Sequence, residues 1–332
     1  MSQAMQFYIS LIGIYAAIDF IAAWGLNLQF GVAGLLSFAF IIFQAAGAYV
    51  CAVLSLGPAS AGGGFQHYIG GLALPFPLPL IGGVLAGALL SIPIGLVTLR
   101  RLRSDYQAVA LLVISIVATD LVTNYVPMFN GAAGLALVPK PLFGSLGLST
   151  ISYQWVYLGF CAIICLAVFL FVQRLTYSPL GRAMRAMRDN EKAALALGKN
   201  VVKFRLMAFA IGGGLGGLSG ALLVQFIGTW APSGWLYPET FVLFAAIILG
   251  GSGNNVGVML GVLILPVGLS EGSQFLPAFA NAAATDSLQW VFIGLVMLAF
   301  MWFRPQGVVP EKKRKFRSAR NWGMDEIGIS DD

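Results

Sequence analysis

The chain has 332 residues, of which 58% are hydrophobic and only 10% are charged, and its formal net charge is +6. Soluble domains carry about 25% charged residues, so this composition excludes an ordinary soluble enzyme or binding module. It indicates an all-α, polytopic membrane protein. The long hydrophobic runs are apolar all round and lack the polar–apolar alternation of a transmembrane β-strand.

Apolar runs follow one another along the whole chain, and most reach about 20 residues, the length that a helix needs to cross the hydrocarbon core. They cover roughly residues 7–24, 33–56, 79–99, 106–126, 153–173, 204–228, 238–270 and 287–303. The first run has no basic residues before it and no cleavage site, so we interpret it as a retained helix rather than a signal peptide. The sequence therefore predicts about eight to ten transmembrane helices.

Few polar side chains lie within these runs. A central Asp costs about 2.5 to 3.5 kcal/mol on insertion scales, so such groups usually face a bundle interior or a wet cavity. They are our candidates for a substrate path, although hydrogen bonding between helices would also explain any single one of them. The path candidates are Asn27, Gln29, Gln44, Asp120 and Asn124, and Asp19 is a further polar residue within the runs.

Two glycine-spaced stretches, residues 82–96 and 255–269, resemble each other. Gly83 and Gly87 match Gly257 and Gly261, and a proline follows each pair. The two stretches are predicted to run in opposite directions, as in an inverted repeat, which in transporters places the substrate path between the halves. Ordinary close packing of helices would produce the same glycines, so both interpretations stay open.

The basic residues predict the orientation, because cytoplasmic loops hold an excess of Lys and Arg. Eighteen of the 19 fall at Arg100–Arg103, Arg174–Arg205 and Arg304–Arg320. The loops at 57–78, 127–152, 229–237 and 271–286 are therefore predicted outside. Residues 238–270 must then begin and end outside, which predicts a broken or re-entrant helix pair with its turn at 250–255.

This pattern divides the chain into a transmembrane permease domain, residues 1–303, and a basic cytoplasmic tail, residues 304–332. The tail is expected to lie against anionic membrane lipid. We expect no nucleic-acid partner.

No catalytic or metal-binding pattern stands out in the sequence. The three cysteines lie in apolar runs and His67 is the only histidine, which gives neither a zinc ligand set nor a base for a catalytic triad. No segment matches the G-x-x-x-x-G-K-[ST] pattern of a P-loop. We therefore predict no enzyme activity, no cofactor and no metal, and any energy must come from an ion gradient or another subunit.

The most polar internal stretch is residues 178–205, which contains seven Lys or Arg among 28 residues. Ser178 and Pro179 predict a helix start, and Gly198 predicts its end. A solvated loop is the simpler interpretation; the alternative is a helix that docks on a cytoplasmic partner inside a coupling loop at 174–205. The docking candidates are Arg182, Met184, Arg185, Met187, Arg188, Glu191, Ala194, Leu195 and Gly198, with the apolar members in a partner's groove and Arg185 and Arg188 at its rim.

The stretch "SPLGRAMRAMRDNEKAALALG", followed by "FRLMAFAIGGGLGGLSGALL", resembles the coupling loop and next helix of branched-chain amino acid ABC transporter permeases of the LivM type. The segments "GLNLQFGVAGLLSF", "LRSDYQAVALL", "NGAAGLALVPKP" and "FRPQGVVP" look like that family's segments in the same order. The resemblance runs from about residue 11 to residue 310.

The resemblance implies a permease that moves branched-chain or related amino acids across the bacterial inner membrane. Its partners would be a second permease subunit of the LivH type, two cytoplasmic ATPase subunits and an extracytoplasmic solute-binding protein. The chain departs from the family at Ala39 and Phe40 and at "ALLVISIVATD". A permease for urea, a short amide or a sugar therefore stays open, as does a secondary transporter or channel that works alone, with Asp19 and Asp120 as its ion-coupling carboxylates.

Overall fold

A computed structural model describes residues 3–58, 66–101, 104–141, 143, 149–271, 291–292, 294–296, 298–299, 302–303 and 306–311. This part of the chain is predominantly helical, and its only β-contacts are isolated bridges. The prediction of an all-α, polytopic membrane protein is confirmed.

The α-helices in chain order are α1 Gln3–Asn27, α2 Phe40–Ser55, α3 Leu78–Arg101, α4 Ser104–Asn124, α5 Val126–Phe129, α6 Thr150–Tyr177, α7 Pro179–Asp189, α8 Glu191–Ala196, α9 Val201–Ile227, α10 Tyr237–Gly250 and α11 Asn255–Val262. Two π-helical segments, Leu28–Val32 and Leu263–Glu271, continue α1 and α11. Short 3-10 turns occupy Gly131–Ala133 and Pro232–Gly234.

Six helices within the described ranges are long and apolar enough to cross a membrane: Met5–Val32, Leu78–Leu99, Tyr106–Asn124, Thr150–Tyr177, Val201–Ile227 and Pro232–Gly250. Two shorter apolar helices accompany them, Phe40–Ser55 and Asn255–Gly268. The predicted span at 287–303 falls largely outside the described residues.

Contacts between helices define two ends of the bundle. α1 and α6 run parallel, since Ser10 hydrogen-bonds to Gln154 near their starts and Trp24 packs on Phe169 near their ends. Both helices lead to the end that carries α7 and α8, which we call the basic end. The described parts of the loops predicted at 57–78, 127–152 and 229–237 meet at the opposite end, where Tyr68 bridges to Phe129 and Leu135 bridges to Trp230. The loop predicted at 271–286 lies almost wholly outside the described residues.

The predicted break within residues 238–270 is present. α10 ends at Gly250, and α11 begins after the cap residue Asn254, whose side chain accepts hydrogen bonds from the backbone of Val256 and Gly257. α10 has 14 residues and reaches the length of a membrane span only together with the 3-10 turn that precedes it. The turn between them lies at the basic end, beside residues 306–311, since Val309 N donates to Gly250 O at 3.0 Å.

Another break lies earlier in the chain, where a single span was predicted at 33–56; we call it, with the π-helical segment that leads into it, the first break, and the turn between α10 and α11 the second break. The chain leaves the π-helical segment at Val32 and re-forms a helix only at Phe40, so α2 is shorter than expected. The backbone amides of Ala33, Gly34 and Leu35 donate to carbonyls of residues 28–30. Non-helical backbone is tolerated at membrane depth only where it is buried or lines a cavity.

Glycines bring α2, α3 and α9 into close contact at the centre of the bundle. Gly217 of α9 lies against Gly47 of α2 and against Gly83 and Gly87 of α3. Gly257 and Gly261 lie in the same way against α10. α3 runs toward the basic end and α11 away from it, the opposite directions that an inverted repeat requires. Close packing accounts for these glycines by itself, and the repeat stays a prediction.

Candidate coupling surface and solute cavity

The basic segment has the local structure that its sequence predicts at both ends. The Ser178 hydroxyl accepts from Gly181 N at 3.3 Å and caps α7, with Pro179 in the first helical position. Gly198 adopts a left-handed φ of 72°, a conformation that a residue with a β-carbon resists. Between these ends the segment is two helices rather than one, because Asn190 leaves the helical region and caps α8.

The apolar face of the segment points into the chain rather than toward solvent. Met184, Met187 and Ala194 are 0%, 1% and 5% exposed and belong to the hydrophobic core. The expectation that these three side chains insert into a partner's groove is therefore corrected: they attach α7 and α8 to the bundle. Charging Met187 would disrupt the chain's own core instead of testing docking.

Arg185 and Arg188 have partners within the chain, and their place at the rim of a docking interface stays a prediction. Arg188 Nη2 donates to Glu311 Oε2 at 2.8 Å, and Arg185 Nε forms an ion pair with Glu311 Oε1 at 2.9 Å. Arg188 Nη1 also donates to the backbone carbonyl of Gly31 in the first break. Gly253 of the second break adjoins the same two side chains, Arg188 and Glu311.

We call this cluster, formed by Arg188, Glu311, Gly31 and Gly253, the Arg188 junction. Burial by itself lowers the pKa of Arg188, but the hydrogen bond and negative charge of Glu311, with a smaller effect of Asp189, outweigh burial and raise it. Arg188 therefore keeps its charge. The junction links the basic segment to both helix breaks and to the described start of the predicted tail, whose residues 312–332 lie outside the described part.

The surface of the basic segment that remains open is partly apolar. Leu195 is 54% exposed and Leu197 is 78% exposed. Arg182 is exposed and donates only to the Tyr177 carbonyl, at 3.2 Å. Glu191 is half-exposed and pairs with Arg205 of α9 at 2.9 Å. Leu197 was not among the sequence candidates, although its apolar character beside Gly198 could have indicated it.

The predicted path residue Asn27 lies in a buried network near the basic end. Its Nδ2 donates to Asn255 Oδ1 at 3.1 Å, and its Oδ1 accepts from Gly253 N at 2.9 Å. Asn255 donates onward to Gln173 Oε1 at 2.9 Å. The side chain of Asn27 is 0% exposed, so in this conformation it fastens α1 to the second break.

Asn27→Ala is expected to destabilise the bundle by about 1 to 3 kcal/mol, because it leaves Gly253 N and the Asn255 amide buried without this partner. Thermal unfolding in detergent measures the effect. Asn124→Ala is the matched control, since the Asn124 amide is exposed and bonds only to the Asp120 carbonyl of its own helix. Equal melting temperatures for the two variants would contradict the assignment.

The other path candidates are separated in the structure. Gln29 is fully buried, with Nε2 donating to Phe209 O at 3.0 Å. Asp120 and Asn124 are exposed on α4 and do not line the cavity that contains Gln44. The candidates therefore do not form one continuous path in this conformation, and the role of each in transport stays a prediction.

Gln44 lines a cavity of about 230 Å³, which we call the Gln44 cavity. Its polar walls are contributed by Asp19, Gln44 and Glu239, and its apolar walls include Leu223 and Leu243. Its remaining lining residues are Tyr15, Ile41, Trp230, Gly234, Val242 and Pro266. The walls extend from the loops of the opposite end to the first turns of α2. α2 therefore begins at the cavity.

Sequence reasoning missed Tyr15 and Glu239 in this cavity. Glu239 lies in the first turn of α10, directly after a loop. In the sequence it stands at the start of the apolar run 238–270. An acidic residue in the first turn of an apolar helix is a signal that could have been used. Among the described residues, no group of three or more His, Cys, Asp and Glu side chains could hold a metal ion.

Two broken helices, a polar cavity beside one of them and a capped basic segment joined to both define a polytopic membrane permease. The family model for the permease component of the branched-chain amino acid transport system matches residues 8–301. The chain belongs to this family, which is a family of transport permeases. No solved structure gives a significant match to the chain.

Relatives from several organisms agree with this membership. The chain is 30% identical to the LivM permease of Salmonella typhimurium over 307 residues, 86% of this chain and 66% of the relative. It is 31% identical to the probable LivM permease of Methanocaldococcus jannaschii over 74% of this chain and 70% of the relative. The LivH permease of Salmonella typhimurium is 27% identical over 86% of this chain and 89% of the relative. The chain thus spans slightly less than two thirds of the Salmonella LivM protein.

Proposed function

We propose that the chain is a membrane-spanning permease subunit of an ATP-binding cassette importer that carries branched-chain or related amino acids into the cell. The Arg188 junction supports this proposal most directly, because it joins a capped basic segment to both breaks of the bundle. A segment attached in this way can pass the movement of a partner into the membrane. Since the sequence contains no P-loop, ATP would be hydrolysed by other subunits.

The partners in this proposal are a second permease of the LivH type, two ATPase subunits at the basic end and a solute-binding protein at the opposite end. The family description and the similarity to both LivM and LivH support them. The excess of basic residues supports a cytoplasmic position for the basic end and for the C-terminal tail. The membrane would be the bacterial cytoplasmic membrane.

In the proposed cycle, closure of the ATPase pair moves α7 and α8. The core side chains Met184 and Met187 make these helices move with the bundle rather than slide over it. Arg188 then carries the displacement to Gly31 in the first break and, through Glu311, to the turn between α10 and α11. In both breaks, backbone carbonyls or amides form hydrogen bonds with side chains instead of with the helix. Such hydrogen bonds can be exchanged without unfolding a whole span, so the breaks are suited to open and close a path.

A permease for urea, a short amide or a sugar is the first alternative, since the departures at Ala39 and Phe40 directly precede Ile41, which lines the Gln44 cavity. A secondary transporter that works alone is the second. It would need buried ion-coupling carboxylates. Asp120 is exposed on α4, and of the two sequence candidates Asp19 lines the cavity.

The test is ATP-driven uptake of radiolabelled L-leucine by the purified, reconstituted complex, with urea and ribose as competing probes. We expect L-leucine to accumulate only with ATP and the binding protein present. Uptake of urea or ribose instead would contradict the proposed substrate. Uptake without any ATPase subunit would contradict the assignment to the ATP-binding cassette importers.

Docking is tested in the same preparation. The double change Leu195→Asp and Leu197→Asp should remove the ATPase subunits from the purified complex while the permease remains folded, because it places charges in an apolar contact. Leu137→Asp is the matched control, since Leu137 is 83% exposed at the opposite end, and it should retain them.

A further inference from the structure

We propose that the Gln44 cavity is a binding site within this single chain for a free, zwitterionic α-amino acid with an apolar side chain. The inference rests on the proposed transport function and adds to it the place where the permease itself holds its solute. The residues that would make the contacts are Asp19, Gln44 and Glu239, with Tyr15 and the apolar wall beside them.

Gln44 carries the argument, because its side chain is largely buried and yet its carboxamide has no partner in the protein. The residue is 6% exposed, and its side chain makes no hydrogen bond within the described part of the chain. The amide atoms are not among the fully buried, unpaired side-chain atoms of the described residues, so they face the accessible space of the cavity. Since Gln44 lines the cavity, a polar ligand in the cavity can supply both the acceptor and the donor.

The charges of the cavity favour the ammonium group of such a ligand. Asp19 and Glu239 both line it, and no Lys or Arg does. A carboxylate offers about four acceptor positions, so each can accept from an ammonium in addition to its contacts within the protein. An ammonium between two carboxylates in a partly desolvated site is bound more strongly than a neutral amide or hydroxyl.

The other end of the ligand would meet hydrogen-bond donors. The Gln44 amide group can donate to a carboxylate. Ile41 and Gln44 lie in the first two turns of α2, and the positive end of a helix dipole favours a negative group within that distance. The cavity thus combines groups that favour a carboxylate with groups that favour an ammonium.

Apolar residues complete the cavity walls and favour an apolar side chain on the amino acid. Leu223, Val242 and Leu243 contribute branched aliphatic surface from α9 and α10. A cavity of about 230 Å³ is below the range of about 300 to 1,000 Å³ that is typical of drug-sized ligands. It therefore suits one small amino acid rather than a peptide or a sugar chain.

The experiment measures occupancy of the cavity directly, without delivery by a binding protein. Gly234→Cys places a thiol at the cavity wall, where an added β-carbon meets no atom within 4 Å. It is made in the intact complex with the partly exposed Cys165 changed to alanine, and reacted with a membrane-impermeant maleimide. Leu137→Cys at the same end of the bundle, outside the cavity, is the control for general reactivity.

Saturating L-leucine is expected to slow the labelling of Gly234→Cys by about tenfold, because an occupied site excludes the reagent, and to leave Leu137→Cys unchanged. The keto acid 4-methyl-2-oxopentanoate, which lacks the ammonium, should protect far less, and sodium chloride should not protect. Adding Glu239→Gln or Gln44→Leu should raise the half-protective concentration of L-leucine by about tenfold each, whereas Tyr125→Phe, at a side chain that is 52% exposed directly after α4, should not change it.

Each outcome decides the question. Protection that survives Glu239→Gln and Gln44→Leu, equal protection by the keto acid, protection by sodium alone, or a Gly234→Cys thiol that does not react at all would each overturn the site. A complex that transports L-leucine yet shows no protection refutes the cavity and leaves the proposed function standing. A complex that does not transport L-leucine refutes the proposed substrate first.

Discussion

Replacing Arg188 by alanine is expected to abolish ATP-driven uptake while the permease still assembles with its ATPase subunits. Arg188 donates to Glu311 Oε2 at 2.8 Å and to the Gly31 carbonyl, and hydrogen bonds to charged groups contribute about 1.5 to 3 kcal/mol each. Their loss detaches α7 from the first break without removing the core anchors Met184 and Met187. ATP hydrolysis should continue but should no longer respond to the loaded binding protein.

The matched control is Arg182→Ala on the same helix, because Arg182 is exposed and bonds only to the Tyr177 carbonyl. It removes the same charge but should retain at least about half of the uptake, as surface charges usually contribute little. Substrate-stimulated ATPase activity and uptake, measured in the same proteoliposomes, separate coupling from docking. Normal stimulation in Arg188→Ala would show that the junction is a structural contact without a part in coupling.

A double-mutant cycle tests whether Arg188 and Glu311 act as one unit. If they do, the combined variant Arg188→Ala with Glu311→Ala should couple about as poorly as Arg188→Ala alone, because the second change removes a partner that has already been lost. Fully additive losses would indicate that Glu311 acts mainly through Arg185, with which it forms the other ion pair at 2.9 Å.

Local features of the fold could be predicted from the sequence because they depend on interactions between residues close together in the chain. The cap at Ser178, the left-handed end at Gly198 and the break at 250–255 each depend on a few neighbouring residues. The six long spans follow from hydrophobic length alone. The break at 33–39 was missed, because residues 33–56 form one mainly apolar run and contain no proline that would mark the interruption.

The candidate site depended on distant contacts, and there prediction was weaker. The amphipathic pattern of α7 shows that Met184 and Met187 share a face, but the pattern is the same whether that face packs on this chain or on a partner. Arg188 pairs with Glu311, 123 residues away, and no local signal connects the two. Gln44 was identified by its polarity alone, whereas its cavity requires α1, α2, α9, α10 and the π-helical segment Leu263–Glu271 to be brought together by the fold.

The glycine contact at the centre of the bundle yields the prediction with the largest effect on folding. Gly217 lies between α2 and α3: a β-carbon there would collide with the Gly83 carbonyl and would come within 3.1 Å of Gly87 Cα. These atoms belong to the backbone and cannot move away as a flexible side chain can. Without a strong hydrophobic force between helices in lipid, their association depends on this close approach of small residues.

Gly217→Ala is therefore expected to destabilise the bundle by about 3 kcal/mol, at the upper end of typical overpacking costs, and Gly217→Val should prevent accumulation in the membrane. Gly214→Ala on the same helix is the control, because its β-carbon would lie 3.4 Å from Ala88 Cβ, an ordinary contact. Both alanine changes alter helix propensity equally, so the difference between them isolates the packing of α9 against α3. Melting temperatures of the purified permease measure it, and equal values for the two variants would mean that α9 and α3 do not approach each other as closely as this structure places them.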